Sequence, residues 1–159
     1  MRHQNTIDPV SRATVEAFYE AFKTRDPQRI GAMLDDDVEW TVSGPVEVMQ
    51  FCGTWRGKNA VIERFASHVP KLISFLSLDI EHLLVDGDCS SMFGRFTVRQ
   101  CDSGRLISYR LAHIVRYRNG KVIALRCLND SLDAAEQYIG HRINLTGKTP
   151  PAFGDVIAI

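Results

Sequence analysis

The sequence predicts an α+β fold in which helices are segregated from an antiparallel β-meander. Three observations lead there. The N-terminal part carries two Asp-Pro pairs, each followed by apolar residues at helical spacing. From about Ser74 to Asn129, the turn signals Asp86-Gly87-Asp88, Asp102-Ser103-Gly104 and Asn119-Gly120 divide four β-rich runs. Helical spacing returns only after Asn129, whereas a parallel sheet would interleave strands with helices.

Each element has its own local reason. Asp8-Pro9 predicts a helix start, and Val15, Phe18, Ala21 and Phe22 then share one stripe of that helix. Asp26-Pro27 repeats the signal for a short helix carrying Ile30, Met33 and Leu34, which the acidic run Asp35-Asp36-Asp37 closes. Val38, Trp40 and Val42 alternate with Glu39 and Thr41, the pattern of a half-buried strand. Ser43-Gly44-Pro45 breaks it, and an irregular apolar stretch runs to Trp55. Val61, Ile62, Phe65 and Val69 predict a third helix, stopped by Pro70. The four runs of the meander are long, which implies a strongly bent sheet. Leu132 to Ile139 predicts a last helix, with Asp130 as its cap.

Composition bounds the function. The chain has 159 residues, 45% hydrophobic and 24% charged, which suits one globular domain with a substantial core. Lys+Arg and Asp+Glu balance at 19 each, so there is no basic excess to favour nucleic acid as a partner. The first ten residues contain no apolar core of a secretory leader, and no stretch reaches the length of a membrane span. Cys52, Cys89, Cys101 and Cys127 show no CxxC pairing, so they read as reduced thiols of a cytoplasmic protein rather than zinc ligands. Neither a metal nor a cofactor is expected.

Several strings, taken in order, resemble the nuclear transport factor 2-like superfamily and, within it, the SnoaL-like and ketosteroid-isomerase-like proteins. They are FYEAFKTRDPQRIGAML, DDDVEW, GTWRGKNAVIERF and AHIVRYRNGKVIALRCLND. The resemblance divides the chain into a SnoaL-like domain over 1–143 and a C-terminal extension over 144–159. It implies a cone-shaped curved antiparallel sheet, a cystatin-like roll, with three to four helices closing a single pocket. A homodimer through the convex sheet face is implied too, with Leu106, Ile114 and Val122 as apolar surface.

Strand alternation within that cone gives candidate pocket residues. These are Phe18 from the first helix, then Trp40 and Val42 from the first strand. Phe93, Arg95 and Thr97 would follow, then Tyr109, Leu111 and His113, and finally Leu125, Cys127 and Asn129. Met49, Phe51, Trp55 and Phe65 would form the rim. Mostly apolar walls with few polar groups suit a small-molecule site.

The resemblance also supplies catalytic templates. A ketosteroid isomerase needs a carboxylate base, a Tyr and a protonated Asp, but the base and Asp positions hold Val42 and His113, and the Tyr position falls on Phe18 with Tyr19 adjacent. In the limonene epoxide hydrolase template Arg95 matches the bridging arginine, while the two aspartate positions hold Thr97 and Cys127. Both chemistries lack their carboxylates. A SnoaL-type cyclase needs only a base beside an acidic carbon, and His113 is the candidate, with Arg95 orienting a substrate oxygen. Alternatively, His113 is a structural histidine, and Arg95 pairs with Glu39 or Asp79 or points outward after a one-residue register slip. The predicted function is binding of a small, largely apolar, oxygen-bearing molecule, with or without cofactor-free isomerisation, cyclisation or dehydration. The alternative is a non-catalytic binding or dimeric interaction module.

Overall fold

Period-2 burial along the chain builds a six-stranded sheet that forms one wall of the molecule, and helices cover its concave face. The computed structural model describes residues 8–144. Its elements run α1 (Arg12–Thr24), α2 (Pro27–Ala32), β1 (Leu34–Ser43), β2 (Gly53–Arg56) and α3 (Lys58–Glu63), followed by a π-helical turn (Arg64–His68) and α4 (Val69–Leu72). Then come β3 (Ile73–Asp86), β4 (Cys89–Gln100), β5 (Leu106–Arg118), β6 (Lys121–Asn129) and α5 (Ser131–Ile139). The sheet order is β2-β1-β6-β5-β4-β3. The α+β architecture, the meander and the curved sheet are as expected. One pairing departs from a purely antiparallel sheet: β1 lies parallel to β6, because the chain leaves β1 through β2 and the helical segments and re-enters the sheet at its far edge.

Several local signals act as the sequence indicates. The Asp26 carboxylate accepts from the backbone N–H groups of Gln28 (2.8 Å) and Arg29 (3.4 Å), fixing the start of α2. Asp130 caps α5 by accepting from the Asp133 N–H.

Others shift. Helix α1 begins at Arg12, not after Asp8-Pro9, because Ser11 accepts from the Thr14 N–H at 3.1 Å and becomes the cap. The Val10 N–H is meanwhile tied to the Gly87 carbonyl. Leu34 and the acidic run after it already belong to β1. Pro70 does not stop the third helix; it occupies the first turn of α4, where its missing N–H costs nothing. Val122 is fully buried and contributes nothing to the outer face, whereas Leu106 and Ile114 are exposed. The extension predicted over 144–159 lies, apart from Asn144, outside the described residues.

Gly94 explains part of the bend. A Cβ there would collide with the Asp79 carbonyl oxygen and come within 3.2 Å of the Ile80 Cα. The missing side chain lets β3 and β4 close together beside the irregularity between Ile80 and His82.

Candidate functional site

The concave face of the sheet is written in rungs. Met92, His113, Cys127 and Val42 are successive cross-strand partners. The next rung is Gly94, Leu111 and Asn129, and Phe96 pairs with Tyr109. Direct partners in a sheet share a face, so these side chains all point toward the helices. Between them and α1, α3 and the π-helical turn lies a cavity of about 70 Å³.

Ten of the predicted residues meet on this cavity's wall. Trp40, Val42, Phe51, Trp55 and Phe65 form one side; Tyr109, Leu111, His113, Cys127 and Asn129 form the other. The rest do not. Phe18, Met49 and Leu125 are fully buried core residues behind the wall, Phe18 packing against Trp40 at 6.2 Å between ring centroids. Phe93, Arg95 and Thr97 belong to the opposite face of β4, since pairing with β5 turns Met92, Gly94, Phe96 and Val98 inward. Phe93 stacks on His82 instead, with the Arg110 guanidinium 5.5 Å from its ring. Thr97 shares a 3.0 Å hydrogen bond with Ser108. Arg95 stands opposite Asp79 on β3, and Glu39 is paired with Arg56 at 2.9 Å. The local pattern carried this signal: Arg95, Thr97 and Arg99 share one parity, while Met92, Phe96 and Val98 share the other.

The cavity also holds residues that the sequence reading missed, among them Phe22, Arg25, Arg64 and Phe96. Arg25 follows the last residue of α1 in the left-handed conformation, φ 58°, where glycine is the usual occupant. That turn directs its side chain inward. The guanidinium carbon lies 4.2 Å from the ring centres of both Phe22 and Phe75, 5.2 Å from Phe96 and 5.7 Å from Phe65. Its Nε is buried without a hydrogen-bond partner, and among the described residues no carboxylate pairs with it. Burial pushes its pKa down to about 10, so the charge persists at neutral pH. Arg64, in the π-helical turn, stacks over Trp55 at 4.1 Å and donates to the Gln50 carbonyl. No Asp or Glu is among the residues lining the cavity.

His113 is only 2% exposed. Its ring stacks on Tyr19 (5.9 Å) and meets Phe22 edge-on (5.6 Å). Its Nδ1 is buried without a partner. Burial, and then the nearby Arg25 charge, push its pKa down to about 3. The imidazole is therefore neutral over the physiological range. The Cys127 thiol donates to the Asn129 side-chain oxygen at 3.3 Å, and the Asn129 amide donates to the Ser43 carbonyl at 2.6 Å. Burial raises the Cys127 pKa well above the usual thiol range, which makes it a poor nucleophile.

The sequence profile of the SnoaL-like domain matches residues 15–125. The chain belongs to the SnoaL-like family. Solved structures carry the same fold. An NTF2-like protein of unknown function from Burkholderia pseudomallei K96243 is 30% identical, over 74% of this chain and 88% of that one, with a TM-score of 0.67. A candidate isomerase from Rhodopseudomonas palustris is 24% identical over 80% and 97%, with a TM-score of 0.72. TerC, co-crystallised with polyporic acid, is also 24% identical, over 80% and 96%, with a TM-score of 0.69. No curated protein matches the sequence. Among the described residues of this SnoaL-like chain, no helix is long and apolar enough to cross a membrane.

Proposed function

We propose that this SnoaL-like protein binds a small, largely apolar, oxygen-bearing molecule in the cavity between α1, the π-helical turn and the sheet. The observation that carries this reading is the wall itself: large aromatic side chains surround a few convergent polar groups, His113, Asn129, Arg25 and Arg64. Trp40 and Trp55 on that wall provide the readout. Titration with a panel of lipophilic carbonyl compounds is expected to quench tryptophan fluorescence saturably. No response to any compound, together with a crystal structure in which side chains fill the cavity, would sink the reading.

Binding without chemistry is the simpler form, because no carboxylate acid or base lines the site and a histidine with a pKa of about 3 is a weak base. The neutral, uncommitted His113 ring favours one second reading, a cofactor-free isomerisation, cyclisation or dehydration in which it moves a proton at a substrate carbon next to a carbonyl. Product analysis separates the two: conversion that His113→Gln abolishes supports catalysis, and saturable binding with unchanged ligand supports a binding module. The exposed Leu106, Ile114 and Leu128 on β5 and β6 support a homodimer through the convex face, which light scattering at two concentrations would test. Four free thiols are compatible with work in the cytoplasm.

A further inference from the structure

The cavity contains a charge with no counter-charge. Two arginines line it, and no carboxylate does. Arg64 has a backbone carbonyl as partner, but Arg25 has only ring faces around it. Its backbone is held in a left-handed conformation that is unfavourable for a non-glycine residue, and a partly buried cation lacking a carboxylate is costly as well. Ring faces offset part of that cost by attraction to the cation, but they accept no hydrogen bond of ordinary strength. The guanidinium is thus held between Phe22 and Phe75, and its buried Nε–H is left without an acceptor. A preorganised guanidinium of this kind matches a planar anion with two oxygens.

We infer that Arg25 is the counter-ion of the ligand, and that the cavity takes an organic monoanion: a flat apolar body carrying a carboxylate or an enolate oxygen. The inference rests on the cavity being a ligand site. The anion would face Arg25, and the aromatic wall of Trp40 and Phe65 would cover the hydrocarbon. His113, neutral, would stand beside the anion rather than add a second charge to the site. Arg25 also borders a groove on the outside of the wall, lined by Lys23, Thr24 and Ser74, so the fixed charge lies at the partition between the cavity and that groove.

The test is calorimetric titration of the full chain at neutral pH with 2-naphthoate, its methyl ester, and the pair 2-hydroxy- and 2-methoxy-1,4-naphthoquinone, the hydroxy compound being an enolate there. The wild type is expected to bind each anion at least tenfold more tightly than its neutral partner. Arg25→Gln should erase that ratio, and Arg25→Lys should retain part of it. Equal binding of anion and neutral partner by the wild type overturns the inference and leaves the cavity reading standing. Binding of none of the four overturns both. The wild-type ratio needs no variant to fold. A crystal soaked with 6-bromo-2-naphthoate supplies the independent check: the carboxylate within hydrogen-bond distance of the Arg25 guanidinium supports the inference, and a carboxylate turned to Arg64 or to the mouth overturns it.

Discussion

The two walls of the cavity are built on different principles. The sheet wall, from β1, β5 and β6, is a lattice of cross-strand rungs in which each side chain's direction follows from its parity and its partner. The helical wall has no such lattice. Its key groups, Arg25 and Phe65, arrive from a left-handed helix end and a π-helical turn, and they touch each other only through tertiary packing. The sheet wall therefore supplies shape and rigidity, while the helical wall supplies charge and specificity. Substitutions in the first should act chiefly on stability, and substitutions in the second chiefly on binding.

The largest effect expected from this contrast is at Trp40. It stacks on Phe22 at 6.0 Å and meets Phe65 edge-on at 5.4 Å, so Trp40→Ala should cost about 3–5 kcal/mol, read by chemical denaturation. A loss below about 1 kcal/mol would show that the sheet wall is not structural. Next comes pH. The folded pKa of His113, about 3, is below its unfolded value of 6.5, so the unfolded chain binds more protons in acid. Stability is full above pH 6.5 and falls as pH drops from there toward 3, by about 2 kcal/mol at pH 5 from this group alone. His113→Gln should flatten that part of the stability–pH curve, and an unchanged slope would place the acid sensitivity elsewhere.

Smaller again is Arg25→Met. Removing an uncompensated buried cation trades ring contacts for relief of desolvation. Thermal melting of the unliganded protein should show no loss, or a gain of up to about 1 kcal/mol. A clear loss would mean that Arg25 serves the fold. The smallest effect belongs to Arg95→Ala on the outer face of β4: stability within about 0.5 kcal/mol and unchanged ligand titration. Any loss of binding there would put the site on the wrong side of the sheet.

Legibility in the sequence divides along the same line. Tyr109, Leu111 and His113, like Leu125, Cys127 and Asn129, were readable because a two-residue period and clear turns fix parity. β4 carries the same kind of signal in Arg95, Thr97 and Arg99, but alternation counted from Phe93 puts that face inside. The inward reach of Arg25 was not readable. An arginine after a helix reads as a solvated charge that complements the helix dipole, and its rings come from α1, β3 and β4, up to about seventy residues away. The π-helical turn was hidden because Val61, Ile62, Phe65 and Val69 fit an ordinary helix.

That turn gives the helical wall a kind of adjustability that the sheet lacks. The Val69 N–H reaches back to the Arg64 carbonyl, five residues away, so the turn accommodates one residue more than an α-helix would hold there. Deleting a single residue within 64–68 would let the segment rewind as α-helix with α3 and α4 nearly in phase, because the wide turn takes up its extra residue within one revolution. Only the side chains of the turn itself, Arg64 and Phe65 among them, would be redistributed on the wall, with every strand rung undisturbed. In such a fold, a new lining for the cavity can come from a change in chain length rather than from a change in residue type.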